Sequence, residues 1–164
     1  MSLPTREDIN VFDSLDERYA CEHFLGKDLS EAQRLFADNF LVYDEDLSNM
    51  GPRAFRYYVQ AAIAYIESEQ ATDHADDVMC FAVTLESWNR NKPCELVPIA
   101  GVLASACRYI IDHWEKYDTT PVEIYNGNIK RYMKRYIKRY IKLQHTFDLM
   151  AKEAATEAHE KRNR

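Results

Sequence analysis

Apolar residues recur at spacings of three and four along most of this chain, which is the period of one face of an α-helix. Phe55, Val59, Ala62, Ile63 and Ile66 follow that period, and so do Val78, Phe81, Ala82, Leu85 and Trp88. Ile99, Val102, Leu103, Ala106, Ile110 and Trp114 make a third such set. Phe40 to Tyr43 can be read as extended, but no second convincing strand is there to pair with it. Residues 40–50 therefore stay open between helix and extended chain.

Polar residues mark where these helices begin and end. Ser14-Leu15-Asp16-Glu17 reads as a capping box that opens a helix running through Phe24, with Gly26 as its stop. Asp28-Leu29-Ser30-Glu31 has the same logic, with Leu29, Ala32, Leu35 and Phe36 on the apolar side and Asn39 as the stop. Gly51-Pro52 places Pro at a first helical position. Asp73 is read as the cap of the next helix, and Pro93 introduces another, with Pro98 in its first turn. Thr120-Pro121-Val122-Glu123 opens a short turn that Asn126-Gly127-Asn128 interrupts. Asn128 then caps a final helix expected to reach about residue 155.

That last helix contains a repeating tetrapeptide. Ile129-Lys130-Arg131-Tyr132 is followed by Met133-Lys134-Arg135-Tyr136, Ile137-Lys138-Arg139-Tyr140 and Ile141-Lys142. A period of four is slightly more than one helical turn, so each register forms a slowly winding stripe. The Ile/Met and Tyr stripes lie side by side, and Lys and Arg occupy the opposite face. The expected arrangement buries Met133, Ile137 and Ile141 with the Tyr stripe against the body and turns the cations outward.

With 164 residues, 46% of them hydrophobic and 29% charged, the chain is an ordered globular protein of one domain by default. Four Gly and five Pro argue against a turn-rich β architecture. No run approaches the roughly eighteen apolar residues of a membrane span, and Met1-Ser2-Leu3-Pro4-Thr5 lacks the regions of a signal peptide. A cytoplasmic location is the expectation. Cys21, Cys80, Cys94 and Cys107 are widely spaced with no C-x-x-C, which reads as buried free thiols. Charge informs only when divided. Residues 129–142 carry seven Lys/Arg and no acid, while residues 1–128 carry ten Lys/Arg against 23 Asp/Glu. A basic helix thus belongs to an acidic protein of net charge −6.

Interleaved Tyr, Lys and Arg is the composition of single-strand nucleic-acid binders. Here the Tyr stripe adjoins the Ile/Met stripe and borders the core, and the acidic remainder opposes phosphate binding. Lys130, Arg131, Lys134, Arg135, Lys138, Arg139 and Lys142 are read either as a face for an acidic protein partner or as the positive half of an otherwise acidic protein, partly neutralised by its own body. Membrane-surface binding would need a free apolar face. Asp44, Glu45 and Asp46 form an acidic corner before Met50-Gly51-Pro52, without EF-hand spacing. Arg53 and Arg56 are expected within reach of it, as neutralising partners. His74 with Asp77, and His145 with Asp148, stand three apart, but the Glu-x-x-His motif of di-iron bundles is absent. There is no G-x-S-x-G, no phosphate-cradling Gly loop and no H-E-x-x-H. No catalytic, cofactor or metal residue is assigned.

Phe24-Leu25-Gly26-Lys27, Glu31-Ala32 and Leu35-Phe36 carry a resemblance, above all with Tyr43-x-Glu45-Asp46-Leu47-x-x-Met50-Gly51-Pro52-x-Ala54-Phe55-Arg56-Tyr57-Tyr58. In these segments the chain resembles a family of small bacterial helical proteins of unknown function. The resemblance covers residues 20–115 loosely and weakens through the basic repeat. It implies a bacterial, intracellular, helical domain and brings no activity with it.

The reading is an all-α, single-domain bundle of about six helices over residues 1–164, with 1–8 and 156–164 frayed and a long basic C-terminal amphipathic helix. The expected role is non-enzymatic, a protein-interaction module of the adaptor or immunity type. No cofactor and no membrane is expected, and homo-oligomerisation stays open. Two readings compete with it. One is nucleic-acid binding by the repeat helix. The other is an enzyme or metal protein using Glu45, Asp46, Arg53, Arg56 and His74.

Overall fold

In the computed structural model, which describes residues 2–118 and 128–162, polar punctuation begins the helices. In the last helix the described side chains run from Lys134 to Lys161. The Ser14 hydroxyl accepts the Glu17 amide at 3.2 Å, and the Glu17 carboxylate accepts the Ser14 amide at 2.9 Å. Asp28 and Glu31 exchange the same pair of bonds at 2.8 and 2.9 Å. Each box satisfies amides that the first helical turn leaves without partners.

The helices are α1 (Arg6–Ile9), α2 (Leu15–Phe24), α3 (Leu29–Asn49), α4 (Pro52–Glu67), α5 (Ala75–Asn91), α6 (Pro93–Leu96), α7 (Ala100–Asp112), α8 (Trp114–Tyr117) and α9 (Asn128–Arg162). Among the described residues there is no strand, and α2, α3, α4, α5, α7 and α9 are the six of ten residues or more. The fold is all-α with a long C-terminal helix. α3 packs along α4 and crosses α2 and α5, while α9 lies along α7 and touches α5. Between them sits an aromatic core. Phe40 stacks on Tyr65 at 5.5 Å between centroids, and Phe55 on Trp88 at 4.0 Å.

Several local expectations give way to packing. Residues 40–50 are helical, and Asn39 is a kink inside α3, at φ −156° and ψ 87°, and not its end. Phe36, Phe40 and Leu47 are all buried on either side of that kink, so burial carries the helix past a residue suited to stopping it. Asp73 does not cap α5, which starts one residue later behind His74; Asp73 turns the chain at φ +64°. Pro98 sits in a 3₁₀ turn, Val97–Ile99, that divides the expected third helix into α6 and α7. Its missing N–H falls at that break. Residues 4–8 are not frayed. Asp8 caps α1 by accepting the Thr5 amide at 2.8 Å, Pro4 and Ile9 are buried, and Arg53 pairs with Asp8. α9 extends to Arg162, past the expected residue 155, and Asn128 is its first described residue. The expected Thr120–Glu123 turn and Asn126-Gly127 interruption lie outside the described residues.

The segment Pro93–Asp112 is, contrary to expectation, long and apolar enough by length and composition to cross a membrane. Its inner side, with Leu103, Cys107 and Ile110, is buried in the bundle, and its outer side presents Gly101, Ser105 and Arg108 together with the exposed Val97 and Val102.

α9 docks through Tyr140, Leu143 and Phe147, which are buried, and the Tyr140 hydroxyl donates to the Val78 carbonyl at 2.5 Å. The Ile/Met stripe is used less than expected. Ile137 is half-buried, Ile141 is 49% exposed, and the side chain of Met133 lies outside the description. A four-residue repeat drifts by about 40° per copy around a helix, so one stripe cannot face the body along its whole length.

Candidate functional site

The most elaborately held exposed feature is the loop between α1 and α2. Glu17 is 4% exposed, and its carboxylate accepts the amides of Val11 (3.1 Å), Phe12 (3.0 Å) and Ser14 (2.9 Å) as well as the Ser14 hydroxyl (3.0 Å). Burial pushes its carboxyl up, but these donors outweigh it and hold the group below its ordinary value. Asp13 takes a left-handed conformation at φ +58°, with Asn10 Nδ2 at 3.1 Å and both Arg18 Nε and Nη2 on its carboxylate, at 2.9 and 2.7 Å. The Arg18 guanidinium, with Asn10, draws the Asp13 carboxyl down to about 2. On the other side, the Gly51 amide donates to the Ile9 carbonyl at 3.1 Å. A Cβ on Gly51 would stand 2.3 Å from the Asp8 carbonyl oxygen and 2.5 Å from Val11 Cγ2. Only glycine lets the α3–α4 turn approach so closely.

This fixed loop presents apolar side chains to solvent. Phe12 is 81% exposed, Val11 46%, Leu15 64% and Tyr19 49%. Leu15 and Tyr19 share the outer face of α2 at i and i+4, with exposed Glu22 one turn on and Asp16 beside them. Next to the loop a cleft of about 700 Å³ opens between Val11 and Phe12, Met50 and Pro52, and Pro93 and Cys94. Single exposed apolar residues are ordinary, but a cluster at a cleft mouth marks an interaction site. Sequence reasoning missed this surface. The available signal was Val11-Phe12 before a cap, and Leu15 and Tyr19 on the side of α2 away from Ala20 and Phe24.

The expected interaction residues separate into two groups. Lys134, Arg135, Lys138 and Lys142 are exposed and make no ion pair among the described residues. Arg139 is withdrawn from them. Its guanidinium forms a two-point pair with Glu86, at 2.7 and 2.5 Å, over the ring of Tyr136. The Arg139 bond holds the Glu86 carboxyl below its ordinary value. The side chains of Lys130 and Arg131 lie outside the description.

The acidic corner does not exist as a corner. Adjacent residues on a helix point about 100° apart, and α3 sends its three carboxylates to different places. Glu45 faces solvent, and Asp46 accepts or shares a proton with His23 Nδ1 at 2.7 Å. Asp44 is buried, with Oδ2 accepting from the Thr84 hydroxyl at 2.8 Å, Ser48 on Thr84 at 2.9 Å, and Oδ1 without a partner. Burial, opposed by the Thr84 bond and assisted by the charge of Asp77, raises the Asp44 carboxyl to about 7. Arg53 and Arg56 do not neutralise these groups. Arg53 reaches Asp8 and the Ser2 hydroxyl, and Arg56 reaches the Glu95 carboxylate at 2.5 Å and its carbonyl at 3.2 Å. Both arginines project from α4 toward chain segments that no local pattern places beside them.

Of the two acid–histidine pairs, His74 with Asp77 forms and His145 with Asp148 does not, among the described residues. His74 lies 3.4 Å from Asp77, whose Oδ2 accepts the Tyr65 hydroxyl at 2.7 Å; Asp148 instead contacts Arg108 and Gln144. Among the described residues no group of three or more His, Cys, Asp or Glu is placed to hold a metal ion. All four cysteines are free, and Cys94 is exposed at the cleft, not buried as expected. Burial raises the Cys107 thiol to about 12 and lifts those of Cys21 and the half-buried Cys80, which disfavours their thiolate forms.

Comparison with protein-family models, with curated proteins and with solved structures gives no match.

Proposed function

We propose that this protein is a non-enzymatic binding module, of the adaptor or immunity type, that captures a basic helical segment of a partner protein. The observation that carries the reading is Phe12, a large side chain left 81% exposed by a loop that a buried carboxylate pins at three amides. The Glu17 bonds stabilise the backbone of this loop, yet leaving the Phe12 side chain in water adds nothing to the fold. A loop whose backbone is already fixed pays less ordering cost on binding. Val11, Leu15 and Tyr19 supply the surrounding apolar area, and the cleft beside Met50 and Pro52 supplies concavity.

Charge favours a basic occupant. Residues 1–28 hold seven Asp/Glu against three Lys/Arg, and Asp16 and Glu22 are exposed on the same helix as Leu15 and Tyr19. A helix with one apolar side and flanking cations fits both features. Nucleic acid is a poorer occupant for the chain's own basic helix, because Tyr140 is buried and Tyr136 lies half-buried beneath Arg139.

The test is fluorescence anisotropy with a labelled helical peptide of about 18 residues built from Leu, Ala and Lys, against a Glu-for-Lys control. Micromolar binding of the basic peptide is expected. Phe12→Ala removes about 2 kcal/mol of burial, so it weakens binding about 30-fold while leaving the melting curve unchanged. Equal binding by the variant, or preference for the acidic peptide, contradicts the reading.

A further inference from the structure

We infer that the basic segment taken by the Phe12 surface is α9 of a second copy of this chain, so that copies associate head to tail. The inference rests on the reading of the Phe12 surface given above and adds the identity of its occupant. Its own support is the outer face of α9. Tyr140, Leu143 and Phe147 define the buried side of that helix. Opposite them stand Lys134, Lys138 and Lys142, all exposed, with no acidic residue anywhere from 134 to 147. Among these cations Ile141 is 49% exposed, and Leu149, 45% exposed, lies beyond them between Asp148 and Lys152. The two aliphatics are eight residues apart, about 12 Å along the helix and about 80° around it. This is the basic, apolar-sided helix that the acidic, apolar surface of α2 would accept.

The chain therefore carries both halves of a complementary pair on different elements. α2 packs on α3 and α1, whereas α9 packs on α7 and α5. Phe12, Leu15 and Tyr19 would cover Ile141 and Leu149, while Asp16 and Glu22 face Lys134 and Lys138. A bare phosphate or nucleic-acid backbone would leave the two aliphatics uncovered, and a membrane surface would leave the Phe12 surface without an occupant. Because the two patches differ, the contact is heterologous. Each added copy leaves one patch of each kind open, and growth does not stop at a dimer unless the rotation closes.

The experiment is sedimentation velocity on the full chain and two variants, each first shown by circular dichroism to melt like the parent. Phe12→Ser with Glu22→Lys spoils only the α2 patch, and Lys134→Glu with Lys138→Glu spoils only the α9 patch. The parent is expected to exceed its 19.2 kDa monomer mass as concentration rises, and each variant alone to stay monomeric. An equimolar mixture of the two variants retains one intact patch of each kind, so it should form a species of twice the monomer mass and grow no further. A parent that stays monomeric to about 0.5 mM overturns the inference. So does a parent assembly that either variant leaves intact, or a mixture that stays monomeric. The basic peptide separates the two failures. If it binds the monomeric parent and loses affinity for the α2-patch variant, the Phe12 surface stands and only the second copy falls. If it does not bind, both fall.

Discussion

Replacing Asp44 with asparagine should change how stability depends on pH, more than it changes stability at any one pH. In the folded chain the Asp44 carboxyl holds its proton up to about pH 7, because burial and the charge of Asp77 outweigh the single bond from Thr84. In the unfolded chain the same group ionises near its ordinary 3.8. Between those values the folded state binds more protons than the unfolded one, so stability falls as pH rises through the window and levels off above pH 7. The difference of about three units corresponds to on the order of 4 kcal/mol across the window, at about 1.4 kcal/mol per unit. An amide side chain does not titrate, so that slope is absent from Asp44→Asn. At pH 4 the variant should be less stable than the parent by about 1–3 kcal/mol, since its amide N–H groups occupy the place where Asp44 Oδ1 has no partner. At pH 8 it should equal or exceed the parent. Urea unfolding at pH 4, 5, 6, 7 and 8 measures both curves. The raised carboxyls of Asp46 and Asp77 contribute to both proteins and largely cancel in the difference. Parallel curves, with a constant offset from pH 4 to 8, would refute the reasoning.

Glu17→Gln should destabilise the chain by about 2–3 kcal/mol, because one carboxylate serves the Val11, Phe12 and Ser14 amides and an amide side chain cannot accept at both atoms; chemical melts check this. The parent loses this contribution as pH falls through the lowered Glu17 value, whereas Glu17→Gln loses nothing there. Gly51→Ala should cost about 2 kcal/mol or more and expose residues 2–9 to limited proteolysis, since the new Cβ meets the Asp8 carbonyl at 2.3 Å. Tyr140→Asp should unfold or severely destabilise the domain, while Lys138→Gln should change stability by less than about 0.5 kcal/mol; Ile137→Asp, at a half-buried site, should fall between them in thermal melts.

The starts of α2, α3 and α4 were legible because their causes are local. Ser14 with Glu17, and Asp28 with Glu31, complete their bonds within four residues, and Pro52 needs only its own fixed φ. The course of α3 past Asn39 was not legible, because its cause is the burial of Phe40 against Tyr65 and Phe81 from distant segments. The basic α9 face could be read from the repeat, but which Ile would be exposed depended on where Tyr140 met Val78. Asp44, Glu45 and Asp46 looked like one site only while residues 40–50 stayed open. Once they are helical, adjacent carboxylates must diverge. Phe12 was hidden for another reason. An exposed aromatic and a buried one are the same letter, and only the folded course of the loop, whose Val11 and Phe12 amides Glu17 reaches back to hold, leaves this one in solvent.

The Val11–Glu22 surface is proposed to take a basic, apolar-sided helix. The most direct measurement is amide and methyl chemical-shift mapping of the labelled 19.2 kDa protein during titration with the Leu/Ala/Lys peptide. Saturable shifts are expected at Val11, Phe12, Leu15, Tyr19 and Glu22, extending to Met50 at the cleft, with Lys134, Lys138 and Lys142 shifting only as the peptide displaces a second copy's α9. Shifts confined to α9, or none at Phe12 at saturating peptide, would contradict that reading.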